Sequence, residues 1–297
     1  MERLLRVNGV DLCVETFGDP TDAAILLIAG MSCSMDWWED GLCERLASGQ
    51  RHVVRYDFRD TGRSTTYPPG EPGYTGADLR ADAVALLDAL GVASAHLVGM
   101  SMGGAVAQGI AVEHPGLVTT LTLVSTTPAL EGAPSGLPPM TPEMAESLRA
   151  LGRRPAPDWA DGPAVVDRLV AEQRAFMRAG FEEGRVRAVA RRVVARSADL
   201  ASMGNHALLE PGPDPHGTLL DLAAPTLVVH GTADPLFPLG HGRALARAVR
   251  HGSLLALAGV GHEPPPPSTW DVVVPAVLQH TSPRAVSRRP RRSRAPR

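Results

Sequence analysis

The sequence predicts an α/β fold: a mostly parallel sheet covered by helices on both faces and interrupted late by a helical insertion. Three observations lead there. Apolar runs of strand length recur without polar alternation, as strands buried on both faces read. Helical stretches alternate with them. Finally, residues 128–221 contain no such run, a gap too long for an ordinary connection.

Asn8-Gly9 joins two short runs, residues 4–7 and 11–16, as a hairpin turn does. AAILLIAG (23–30) is the first buried-strand pattern, and HVVRYDF, AHLVGM and LTLVST repeat it. The helix ADLRADAVALLDALG has apolar residues three and four apart, acids early, and Gly91 to close it. After Thr127 come PEMAESLRALG, PAVVDRLVAEQRAFMRAG and the strongly basic RVRAVARRVVARSADLA. The strand pattern resumes in APTLVVHGTAD and GSLLALAGVGH, with HGRALARAVR as a helix between them. WDVVVPAVLQH is expected to be the closing helix, kinked at Pro275 unless that residue lies near its start. The chain thus divides into a core (1–127), a helical cap (128–221), the rest of the core (222–280) and a tail (281–297).

Composition narrows the function. Apolar residues make up 44% of the 297, with no run long enough to span a membrane. The N-terminus lacks a signal-peptide pattern, so a cytoplasmic protein is expected. Three cysteines without C-x₂-C spacing point to free thiols and to no metal site. The net charge is −3, yet residues 281–297 carry seven arginines and no acid. That run reads as a disordered, solvated tail, and nothing else resembles a nucleic-acid module.

The segment HLVGMSMGGAVAQ carries the chemistry. A strand ends at Gly99 and a helix begins near Met102, so Gly99-Met100-Ser101-Met102-Gly103 is a G-x-S-x-G motif in the strand–turn–helix setting of a nucleophile elbow. The turn strains its serine, and bulky neighbours would collide there. A serine hydroxyl needs a base, and the base an orienting acid. Asp234 follows one late strand and His262 the last one, in the chain order Ser, Asp, His of an α/β-hydrolase. The loop after the preceding strand, STTPAL, offers no acid before Glu131. Backbone N–H donors for an oxyanion are expected at Met102 and, from AGMSCSMDWW, at Met31.

With these residues the chain resembles the α/β-hydrolase superfamily over nearly its full length, the tail excluded. RYDFRDTGRSTT resembles a local signature of capped esterases, and together with VGMSMGG it is similar to the actinomycete anthracycline (aclacinomycin) methylesterases. The resemblance implies that Asp57, Arg59, Gly62 and Ser64 brace the mouth of the site. The cap itself carries no recognisable family pattern.

The expected activity is cleavage of a carboxylic ester, a methyl ester or lactone included, of a hydrophobic small molecule through an acyl-enzyme. No cofactor, nucleic acid or membrane partner is expected, and the chain is expected to be a monomer or homodimer. Alternatives on the same triad are a carbon–carbon bond hydrolase or a cofactor-free perhydrolase. A non-catalytic small-molecule receptor or a pathway cyclase on the same fold is the alternative from another class. Phe176, Met177, Phe181 and Met203 are expected to help make the cap's underside apolar.

Overall fold

The computed structural model describes residues 2–177 and 181–282. The arginine-rich tail from residue 283 therefore lies outside the described residues. Among the described residues eight strands form one sheet: β1 (Arg3–Val7), β2 (Val10–Phe17), β3 (Ala23–Ile28), β4 (Arg51–Tyr56), β5 (Ala95–Met100), β6 (Val118–Val124), β7 (Thr226–Gly231) and β8 (Gly252–Leu257). Their spatial order is β1-β2-β4-β3-β5-β6-β7-β8. The hairpin β1–β2 and its pairing with β4 are antiparallel, and every later pairing is parallel. Asn8 and Gly9 both have positive φ, the turn geometry that matches strand twist.

The helices are α1 (Asp40–Ser48), α2 (Gly76–Ala89), α3 (Met102–Glu113), α4 (Pro142–Arg153), α5 (Gly162–Met177), α6 (Glu183–Arg196), α7 (Gly240–Ala248) and α8 (Trp270–His280). The continuous apolar strands split by alternation. Leu26 and Ile28 of β3 enter a core with α2, α3 and α7, while Ile25 and Leu27 enter a second core with α1 and α8. α8 runs through Pro275, which lies in its second turn. Among the described residues no helix is long and apolar enough to cross a membrane.

The insertion after the sixth strand holds α4, α5 and α6 and has its own core. Val165, Val166, Leu169 and Val170 of α5 face Val186, Val189, Ala190 and Val193 of α6, with Trp37 closing the cluster from the sheet side. The basic run that forms α6 is ion-paired rather than merely solvated. Arg196 reaches Glu2 (2.7 Å), Asp57 (2.9 Å) and Asp36. Arg192 meets Asp36 (2.8 Å) and Asp40 (2.7 Å). Arg185 bridges Glu39 (2.8 Å) and Glu263 (3.1 Å). The side chains of Asp36, Asp57 and Glu263 are fully buried, so each carries a desolvation cost that these arginines offset.

Arg196→Leu leaves Asp36 and Asp57 facing each other without their shared cation, and should lower unfolding free energy by about 3–5 kcal/mol. Arg187→Ala, which removes only exposed pairs to Asp167 and Glu183, should leave urea unfolding almost unchanged. Equal effects would show that the buried network carries no special weight.

Burial pushes the Glu263 carboxyl up to about 7 against the pull of Arg185. The unfolded carboxyl titrates near 4.5. Between those values the folded chain keeps a proton that the unfolded chain has lost, so stability falls as pH rises through the window. The melting temperature of the wild type should therefore drop relative to that of Glu263→Gln from about pH 5 to 7.5. Parallel curves would refute it.

Candidate active site

The sheet reverses direction of growth at β3: β4 lies on one side of it and β5 on the other. Open α/β sheets bind ligands at the carboxyl ends of the strands beside such a switch point. Ser101 follows β5 there, and the loop carrying Met31 follows β3.

Ser101 sits at φ 50° and ψ −117°, a strained conformation for a residue with a side chain. The flanking glycines allow it by close approach. A Cβ on Gly99 would overlap the Gly103 carbonyl, and one on Gly103 would overlap the carbonyls of Ile28 and Ala29. The turn is thus pressed against the end of β3, with Ser101 directly at the N-terminus of α3.

The structure brings Ser101, His262 and Asp234 together. Ser101 Oγ lies 3.0 Å from His262 Nε2, and His262 Nδ1 lies 2.9 Å from Asp234 Oδ2. A carboxylate accepts, so Nδ1 carries the imidazole proton and Nε2 is left to accept from the serine hydroxyl. Asp234 Oδ1 accepts from the N–H groups of Leu236 (2.9 Å) and Phe237 (2.8 Å). His230 donates from Nε2 to the Phe237 carbonyl (2.7 Å), and burial lowers its pKa. Such a chain can take up the serine proton as the oxygen attacks an acyl carbon.

The N–H groups of Met31 and Met102 have no hydrogen-bond partner among the described residues. A Cβ built on Gly30 would stand 3.6 Å from the Ser101 Cβ, so this loop passes over the serine. Asp57 accepts from the N–H of Met35 (2.8 Å) and of Arg63 (3.0 Å) as well as from Arg196, and Ser64 donates to the Asp57 carbonyl (2.7 Å). Gly62 has φ 54°, and a Cβ there would strike the Asp57 carboxylate. Arg59 makes a two-pronged pair with Asp82, 2.7 Å on each arm.

The apolar residues expected over the serine divide into two groups. Phe176 at the end of α5 lies beside His262 (5.9 Å between rings), its carbonyl accepts the His262 N–H (2.9 Å), and Phe237 meets the same imidazole edge-on at 5.4 Å. Met177, Met203 and Phe181 pack in the insertion's own core instead, because the paired helices bury their facing stripes between them. Phe237 lies three residues after Asp234 in DPLFP, where the sequence carries no sign of its contact with the imidazole, and the α6 arginines show there only as charge. Among the described residues no group of three or more His, Cys, Asp or Glu side chains is placed to hold a metal ion.

Comparison with known proteins bears on this arrangement. Residues 23–266 match the family model described as alpha/beta hydrolase fold. Over 94% of the chain and 97% of the relative, the sequence is 31% identical to a rhodomycin D methylesterase of Streptomyces sp. (strain C5). A second rhodomycin D methylesterase, from Streptomyces peucetius, is 30% identical over the same shares. Among solved structures, an esterase from Rhodococcus sp. ECU1013 superposes with a TM-score of 0.73 at 22% identity, covering 94% of this chain and 98% of its own, a likeness of fold. With its sheet order, its elbow and these matches, the chain belongs to the α/β-hydrolase fold family.

Proposed function

We propose that this protein is a serine hydrolase that cleaves a carboxylic ester of a hydrophobic small molecule. The observation that carries the reading is the continuous hydrogen-bonded chain from Ser101 Oγ through His262 to Asp234. Ser101 attacks the acyl carbon while His262 Nε2 takes its proton, and the new oxyanion accepts from the N–H groups of Met31 and Met102. His262 then protonates the departing alcohol, and water, activated by the same imidazole, releases the acid and regenerates Ser101. Asp234 holds the imidazole tautomer and balances its transient positive charge. Residues 128–221 act as the cap, and 1–127 with 222–280 supply the catalytic core.

Both Streptomyces relatives are named as methylesterases of rhodomycin D, which supports a methyl ester on a larger apolar acid as the bond cleaved. The same relatives favour ester cleavage over carbon–carbon cleavage, perhydrolysis or a receptor role. Phe176, Phe237 and the half-exposed Met31 give the mouth an apolar lining.

Fluorophosphonate labelling and ester turnover test the triad. Ser101→Ala and His262→Ala should each lower kcat by about 10⁴-fold or more, the double variant should lose little beyond that, and Asp234→Asn should lose somewhat less. Additive losses would separate the three residues into independent roles. The lining is tested by p-nitrophenyl esters. Each methylene that becomes buried contributes about 0.8 kcal/mol, so kcat/KM should rise from acetyl to butyryl and hexanoyl. A preference for acetyl or for charged acids would reject the apolar lining and leave the triad intact.

A further inference from the structure

The loop carrying Met31 has little internal support. Between Ala29 and Ser34 one backbone hydrogen bond, Cys33 N–H to the Gly30 carbonyl (3.2 Å), closes it among the described residues. Ser32 stands at φ 58°, a left-handed conformation that a serine holds only when its surroundings impose it. Those surroundings come from the insertion. The Ser32 N–H donates to His206 Nδ1 (2.9 Å), and its hydroxyl donates to the Met203 carbonyl (2.7 Å).

His206 is itself fixed. It is buried, its Nε2 lies 2.8 Å from the Arg59 carbonyl, and the rings of Phe58 and Tyr74 meet it nearly at right angles. A carbonyl only accepts, so the proton sits on Nε2 and Nδ1 keeps the lone pair that Ser32 needs. Burial lowers the pKa of this ring, which keeps it neutral and Nδ1 free to accept. One imidazole therefore joins the loop after β4, the loop after β3 and the insertion.

We propose that His206 is a positioning residue for the oxyanion hole: by accepting the Ser32 N–H it fixes the Met31–Ser32 peptide and so aims the preceding Met31 N–H at the oxygen of an acyl group on Ser101. This inference rests on the proposed roles of Ser101 and Met31. Without the acceptor, Ser32 is free to leave its left-handed conformation, and the Met31 peptide turns with it. The expected signature is a loss in kcat with KM retained, because the oxyanion forms only after binding.

Two substitutions separate the ring's two bonds. His206→Asn keeps an acceptor near the Nδ1 position and gives up the bond to Arg59. His206→Gln keeps a donor near the Nε2 position and gives up the acceptor for Ser32. With p-nitrophenyl butyrate, His206→Gln should lose about 30- to 100-fold in kcat with KM within about twofold, and His206→Asn should stay within about threefold of wild type. Melting temperatures should fall similarly in both. Equal kcat losses in the two variants, or a loss in KM alone, would overturn the proposal. Ser32→Ala breaks only the bond to Met203 and should keep kcat within about threefold. A loss there as large as that expected of His206→Gln would assign the role to the hydroxyl and overturn it as well. Wild-type protein that neither turns over the ester nor takes up fluorophosphonate would refute the esterase reading, and this inference with it.

Discussion

The close approach of the β5–α3 turn to the end of β3 is the constraint on which the rest of the site depends. Gly103 lies against the Ile28 and Ala29 carbonyls with no room for a side chain, and Gly99 against Gly103 itself. That contact sets where Ser101 stands and how near the β3 loop can pass. It also explains the tolerated strain at Ser101: parallel strands on both sides of β5 hold the turn's ends, so the unfavourable φ is imposed by packing rather than chosen locally. The other two groups of the site then only have to reach a point already fixed, and both do so from the ends of strands added outward on the same side of the sheet.

A second constraint comes from electrostatics. The insertion meets the core through apolar contacts, Trp37 in its own cluster and Leu130 and Leu219 in the cluster of α2 and α3, and through the arginines of α6. An apolar interface slides at small cost, whereas three arginines seated among buried carboxylates fit in one register, since any shift strands a buried charge. The register matters to the site because α5, packed on α6, carries Phe176 in its last turn, and the Phe176 carbonyl holds the backbone of His262. Glu263, next in the chain, pairs with Arg185 of α6. The loop that carries the imidazole is thus gripped from the insertion at two consecutive residues.

Such an arrangement divides labour between sheet and insertion. The strands supply rigid ends for Ser101, Asp234 and His262, while loops carry the groups, as surface connections on a stiff scaffold commonly do. The insertion also holds parts of the core in place. Its backbone and side chains fix loops on either side of the serine: the His262 loop through Phe176, and the Met31 loop through Met203 and His206. A change deep in the insertion can therefore reach Ser101 and His262 through these loops.

Much of this was legible in the chain because the signals are local. Buried parallel strands such as AAILLIAG write themselves as unbroken apolar runs, Asn8-Gly9 writes a hairpin, and the spacing of Gly99, Ser101 and Gly103 reflects a steric demand met within five residues. The order of Ser101, Asp234 and His262 placed each on a strand end. Helix α1 left a weaker trace, since DGLCERLAS is short and sits directly behind a loop rich in tryptophan and acid. Phe176 was legible as an apolar residue of the insertion but not as the carbonyl that holds His262, and the contacts of Arg196 and His206 were not legible at all. Each depends on partners from 86 to 174 residues away, such as Asp57 for Arg196, Ser32 for His206 and His262 for Phe176. An arginine in a basic helix and a histidine in a polar segment read the same whether solvated or buried. What decides between those states is which carboxylate or N–H the folded chain brings against them, and only the tertiary structure settles that.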